Sequence, residues 1–302
     1  MPIYIRFIIL VTLCFLTVFT KVKAADSDKV QVLIVDGFSN HDWKKTTELI
    51  KTLLKEEKEF EISVATVPIK GDPVWSGFLP DFKKYKLVIQ NTNDINNGNS
   101  WPLAAQKAFE KYIYEGGNML VFHSANNAFP AWKEYNKMIG LGWRNKDFGK
   151  AIHIENDQLV LVPAGQGENT GHGKRRDLIV HKLDEHAITK DYPKQWMAAD
   201  LEVYRYARGP AENMTVLSYA KDLKTEKNFP IEWIVKYGKG EIYNSTYGHY
   251  WKGQKTLPAG VRCVAFRTSF TRATRYLSDV PAKALPNNFP SSQAVELIPL
   301  ET

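Results

Sequence analysis

The stretch Glu115-Gly-Gly-Asn-Met-Leu-Val-Phe-His-Ser-Ala-Asn-Asn-Ala-Phe129 decides the fold. Gly116-Gly117 closes a helix, because glycine enters the left-handed conformation at a helix end without steric cost. Met119 to Phe122 is a short, wholly apolar run of the kind that forms a central strand buried on both faces. His123, Ser124, Asn126 and Asn127 follow at once, polar and turn-compatible. Ligands of an open parallel α/β sheet bind beyond the carboxyl ends of its strands, so these residues are expected at a functional edge.

Upstream, Val30 to Val35 is an apolar first strand ending at Asp36-Gly37. Ser39 or Asn40 is expected to cap the next helix, with Asp42 in its first turn. Leu49, Ile50, Leu53 and Leu54 give that helix an apolar face. Phe60 to Val67 and Leu87 to Gln90 read as strands, and Asn91 to Ser100 as a loop. Trp101-Pro102 opens a helix through Tyr114. Strand–helix alternation of this kind predicts an α/β fold with a doubly wound, mostly parallel sheet and helices on both faces.

Downstream the pattern is less regular. Ile152 to Ile154 and Leu159 to Val162 read as a short hairpin, and Gly165 to Arg176 as a polar, basic surface loop. Leu178 to Val180, Met214 to Tyr219 and Ile231 to Val235 are strand candidates. Gly238-Lys-Gly240 is a turn that launches a late strand, Glu241 to Thr246, ending at Tyr247-Gly248-His249. Leu257 to Leu277 reads as one helix with Val261, Val264, Phe270, Ala273 and Leu277 on its apolar side. Residues 281–302 are Pro-rich and expected as an extended tail, leaving residues 25–280 as one α/β domain.

Met1 to Ala24 has an early Arg6, an apolar core from Phe7 to Phe19 and Val22-Lys-Ala24 before a cleavage point, the pattern of a secretory signal peptide. Lys21 and Lys23 sit close to the cut, so an uncleaved anchor is the alternative, although the run is short for a membrane span. Cleavage lowers the formal charge from +7 to +4. That charge is too weak and scattered for nucleic-acid binding, and no stable membrane insertion is expected after cleavage. Only Cys263 then remains, so no intramolecular disulfide forms, and Cys263 is expected as a buried small hydrophobe. Export without disulfides suits a bacterial periplasm.

Three histidines fall just past strand ends: His41, His123 and His249. If those strands run parallel, all three face one edge. Two chemistries stay open. Neutral imidazoles can give and take protons near neutrality. Alternatively they hold a divalent metal, with Glu202 as a carboxylate ligand; no local spacing such as HExxH supports this. Glu202 and Tyr204 would share one side of an extended segment, as an acid/base pair or as a plain polar strand face. Ser124 could occupy a nucleophile elbow, but His-Ser-Ala-Asn lacks the glycines of Gly-x-Ser-x-Gly. His172, beside Lys174, Arg175 and Arg176, belongs to an anion site or to a solvated basic loop. His153, His181 and His186 read as structural. Trp43, Trp101, Trp132, Trp143, Trp196 and Trp251 either stack on sugar rings or pack in the core. His123, His249, Glu202, Tyr204 and Ser124 are therefore the catalytic candidates. Asp36, His41, Trp43, Asn126, Asn127, Trp143 and His172 are the substrate-binding ones.

A series of pieces spans the chain: Asn40-His-Asp-Trp43, Val121-Phe-His-Ser-Ala-Asn-Asn-Ala-Phe129, Met138-Ile-Gly-Leu-Gly-Trp143, Thr170-Gly-His-Gly173, Glu202-Val-Tyr204, Arg208-Gly-Pro210 and Tyr247-Gly-His249. In order and spacing they resemble the ThuA-like family, named for trehalose utilisation. The resemblance implies a flavodoxin-like, class I glutamine amidotransferase-like fold. It does not imply amidotransferase activity, which needs a cysteine where this chain has Phe122-His-Ser-Ala125. It implies an enzyme of carbohydrate metabolism acting on 3-keto sugars or glycosides, with lyase, isomerase and hydrolase outcomes all open. The competing readings are a non-catalytic sugar-binding module and, third, a serine hydrolase using Ser124. Leu201-Glu-Val-Tyr204 departs from the family's Asp-Glu-Leu-Tyr, although Asp200 lies one place earlier, and His186-Ala-Ile-Thr189 replaces His-Pro-Ile-Thr. The expected partner is a small-molecule carbohydrate; association into a homo-oligomer stays open.

Overall fold

A computed structural model describes residues 29–300; the expected signal segment lies outside the described residues. The chain runs β1 (Val30–Asp36), α1 (Trp43–Glu56), β2 (Phe60–Thr66), β3 (Leu87–Gln90), α2 (Leu103–Tyr114), β4 (Asn118–Val121) and α3 (Lys133–Ile139). It continues through β5 (Lys150–Glu155), β6 (Gln158–Val162), β7 (Arg176–Lys182), β8 (Gln195–Leu201), β9 (Arg208–Gly209), β10 (Met214–Lys221), β11 (Asn228–Tyr237) and β12 (Gly240–Ser245). Helices α4 (Ala259–Arg262) and α5 (Val264–Leu277) close the described elements.

One sheet carries the fold, with strand order β2-β1-β3-β4-β12-β11-β10-β7-β8. The first five strands pair parallel. Their order is that of a flavodoxin-like doubly wound sheet, which bears out the expected fold class. The central strands β3 and β4 are buried along their whole length because each face is covered. Val32 and Ile34 of β1 and Leu120 of β4 pack with α1 and α5. Leu33 and Val35 of β1 and Met119 and Val121 of β4 pack with α2 and α3 on the other side.

Beyond β12 the sheet continues antiparallel. Two reversals restore a strand's direction, so β10 and β8 end on the same edge as β4 and β12, and β7 begins there. The pairing of Arg176 with Leu201 puts the start of β7 beside the end of β8. The β5–β6 hairpin joins β11 at Asn228 and Ile154. The sheet curls until β8 packs against α4 and α5, which carries the far strand's end back toward the central strands.

Two local expectations need correction. Asp42, not Ser39 or Asn40, caps α1: its carboxylate accepts from the Lys45 N–H at 3.2 Å, whereas the Ser39 hydroxyl accepts from the His41 N–H one turn too early. The expected helix 257–277 is two helices. Cys263 leaves helical geometry with ψ 125° and forms a bridge with Leu297. Among the described residues the tail beyond Pro281 carries no helix or strand and is strapped to the body: Val264 N–H donates to Glu296 and Met197 N–H to Ser291. Among the described residues no helix is long and apolar enough to cross a membrane.

Candidate functional site

His41 follows β1, His123 follows β4 and His249 follows β12, and the common edge brings them together. Their ring centroids lie 5.1 Å (His41–His123), 4.8 Å (His41–His249) and 5.1 Å (His123–His249) apart. One ring nitrogen from each lies within 4.8 Å of the others. All three residues are buried.

Backbone geometry aims these rings. His123 has φ +39°, a left-handed conformation unusual for a side chain other than glycine's. It stands where β4 breaks into a short 3-10 helix, His123–Asn127. The apex of that strand-to-helix elbow is therefore a histidine. Ser124 comes one residue late, with its Oγ 3.4 Å from Ser39 Oγ, away from the cavity described below.

The hydrogen bonds assign the tautomers. His123 Nδ1 donates to the Thr246 carbonyl at 3.0 Å. His41 Nδ1 donates to Asn40 Oδ1 at 2.9 Å, and that same oxygen accepts from Asn93 Nδ2 at 3.0 Å, which identifies it as oxygen. Both histidines thus turn a bare Nε2 inward, and neither Nε2 has a hydrogen-bond partner. Burial, reinforced by Arg175, Lys252 and His172, lowers the His41 pKa to about 4. Burial lowers that of His123 to about 4 as well, against the opposing pull of Glu202. Burial and the neighbouring histidines push His249 down further. At neutral pH all three are uncharged ligands or bases.

Glu202, 4% exposed, stands over this trio. Its Oε2 is 3.5 Å from His123 Nε2, and its Oε1 is 3.3 Å from His172 Nε2 and 3.9 Å from His249 Nε2. Since His123 Nε2 carries no proton, a carboxylate faces a lone pair there. Such an arrangement calls for a positive charge between them, a proton or a metal ion. Tyr204 lies beside Glu202; burial, then the Glu202 charge, raises its phenol pKa well above the usual value and keeps it a donor. Its hydroxyl also meets Asn127 Nδ2 at 3.5 Å.

A cavity of about 560 Å³ opens onto His41 and His249 of the trio and is lined also by Glu202, Tyr204, His172 and Arg175, whereas the buried His123 does not line it. Trp251 and Trp143 form two of its walls. Trp251 stacks on His249 at 6.0 Å with an interplanar angle of 9°. Trp143 meets Tyr204 and His172 edge-on at 5.2 and 5.5 Å. Of the expected binding residues, Asn127 and His172 also line it.

Asp36, Trp43 and Asn126 do not. Asp36 is buried and spent on the Thr47 and Thr66 hydroxyls at 2.7 Å each. Trp43 begins α1, its carbonyl accepting from Asn91. Asn126 turns its amide toward Ser245, 3.5 Å away. Trp101, Trp132 and Trp196 are core residues. Arg175, which the sequence assigns with His172 to an anion site or a solvated basic loop, lines the cavity.

The ThuA family model, described as trehalose utilisation, matches residues 31–256. The chain is similar to the crystal structure of a ThuA-like protein from Parabacteroides merdae, 27% identical, over 89% of this chain and 98% of that one, with a TM-score of 0.82. A ThuA-like protein from Bacteroides uniformis, 16% identical, aligns over 85% and 95% with a TM-score of 0.53. The glutaminase domain of Trypanosoma brucei CTPS aligns at 9% identity over 88% and 99%, with a TM-score of 0.47. Among curated proteins none matches the chain.

Proposed function

The chain belongs to the ThuA family, and we propose that it is an exported, metal-dependent enzyme acting on a carbohydrate, a 3-keto sugar or its glycoside. The observation that carries the metal is the pair of buried, unpartnered Nε2 atoms on His41 and His123, each locked in its tautomer through Nδ1. That is how metal-binding histidines are ordinarily oriented. His249 completes a three-imidazole face, and a carboxylate lies beyond it. A divalent ion held there would supply Lewis acidity toward a substrate oxygen.

The protein groups divide the remaining work. Glu202, its Oε2 3.5 Å from the unprotonated Nε2 of His123, takes the proton from the substrate. A proton next to a ketone is acidic enough for such a base. Tyr204, held protonated, donates to a substrate or leaving-group oxygen. Trp251 and Trp143 offer ring faces and edges that suit sugar rings. The apolar N-terminal segment followed by a small-residue cleavage pattern supports export.

Elemental analysis of the purified protein, beside His123→Ala and His249→Ala, tests this reading. A stoichiometric divalent ion lost in both variants is expected, together with turnover of a 3-keto-glycoside that disappears with the ion. A wild-type protein that turns over the sugar without metal leaves imidazole acid–base catalysis in its place. Sugar binding without any turnover makes the chain a binding module.

A further inference from the structure

Two buried arginines of this protein spend both terminal nitrogens on the fold. Arg144 gives its Nε to Asn136 and its two terminal nitrogens to the carbonyls of Asn127, Trp143 and Ala128. Arg208 spreads both terminal nitrogens over the carbonyls of Gly149, Pro163, Gln166 and Glu168. Arg175 differs. Asp200 holds it from outside, at one point, through Nε at 3.1 Å. Its terminal fork is turned into the cavity, where Nη1 lies 2.7 and 2.8 Å from the two ring nitrogens of His249. The two ring nitrogens of an imidazole point in diverging directions, so a nitrogen nearly equidistant from both sits over the ring, out of line with the one lone pair that a neutral imidazole offers. No hydrogen bond to the described residues occupies Nη2.

Among the described residues Arg175 is also the only lysine or arginine in the cavity wall, as Glu202 is the only carboxylate there. The side chain that anchors it is itself constrained. Asp200 stands at φ +48°, and its N–H donates to Asp177 Oδ1 at 3.0 Å. This fixes the outer end of the pair while the inner fork stays available.

We propose that Arg175 is the oxyanion clamp of this site, with Asp200 as its positioning residue. The clamp takes a ligand oxygen that is anionic, held at the guanidinium's Nη2 beside the histidines. The inference rests on the sugar-site reading above. In the reacting form of that chemistry, the proton on the carbon next to the ketone passes to Glu202. The C–H electron pair becomes a C=C bond, and the carbonyl π pair moves onto the oxygen, which Arg175 holds as an enolate. Returning the proton reverses the step, so no co-reactant is required. The same fork would hold the permanent carboxylate of an acidic sugar, and the experiment separates the two sources.

Metal-loaded wild type, Arg175→Met, Arg175→Lys and Asp200→Asn are compared for metal content. They are also compared for calorimetric affinity toward D-glucose and D-glucuronate, and for the rate at which deuterium enters beside the ketone of methyl 3-keto-glucoside. For an enolate oxygen, Arg175→Met keeps its metal and loses about 100-fold in exchange rate with KM nearly unchanged, the size expected for removal of one oxyanion donor. Added guanidinium ion restores part of it, and Arg175→Lys and Asp200→Asn fall between. For a permanent carboxylate, wild type prefers glucuronate to glucose, and Arg175→Met abolishes that preference. An Arg175→Met protein that holds metal and sugar yet changes neither quantity by more than about twofold overturns the clamp alone. A wild type that takes up neither metal nor sugar overturns the sugar-site reading, and the clamp with it.

Discussion

At the scale of residues, the protonation of two imidazoles couples this site to stability. Burial holds the pKa of His41 and His123 near about 4 in the folded protein, while the same side chains titrate near about 6.5 when unfolded. Between those values the unfolded chain binds more protons, so stability rises with pH there. The contribution is fully present above the unfolded value and is lost as pH falls toward the folded one. Chelator-treated protein is therefore expected to lose thermal stability between about pH 7 and about pH 5, and His41→Gln to flatten that slope. A wild-type midpoint that does not move over the interval would mean the imidazoles are solvated. The three histidines were legible at strand ends, since a change from apolar to polar residues is local. Which atom faces inward was not legible: it depends on Asn40, Asn93 and Thr246, and on the positive φ that puts His123 rather than Ser124 at the elbow.

At the scale of elements, the site is assembled from connections at the edge of the sheet. The turn from β1 to α1 is fastened to the segment after β12 where Asp42 N–H donates to the Tyr250 carbonyl at 3.1 Å. The Asp42 carboxylate meanwhile caps α1. Asp42→Ala is expected to cost about 1 kcal/mol in denaturant unfolding, as loss of an N-cap does, without changing the strand content seen by circular dichroism. No measurable loss would show the cap to be redundant. Strands β1, β3 and β4 were readable because burial on both faces gives each an unbroken apolar run. Strand β8 was missed: Gln195-Trp-Met-Ala-Ala-Asp-Leu201 neither alternates nor carries β-branched residues, and it is a strand only because β7 pairs with it. That pairing sets Glu202 at the functional edge.

At the scale of the molecule, the strap beyond Pro281 joins parts far apart in sequence. Phe289 packs on Tyr192 and Trp196 at centroid distances of 4.6 and 6.0 Å, and Lys283 donates to Glu57 at 2.7 Å beside the Arg275–Glu57 pair. Deleting residues 281–302 would bare these aromatic rings to water. A lower thermal midpoint and binding of a hydrophobic dye are expected; unchanged melting would make the tail dispensable. The sequence by itself determined the parallel core and the common edge at which His41, His123 and His249 meet. Those follow from short-range patterns of burial and turn chemistry. Only the tertiary structure decided that Trp143 and Trp251 line the cavity while Trp101, Trp132 and Trp196 fill the core, that Ser124 lies aside, and that Arg175 reaches His249. Those outcomes turn on side-chain direction and on the curl of the antiparallel strands, set by contacts between residues that no local stretch of chain contains.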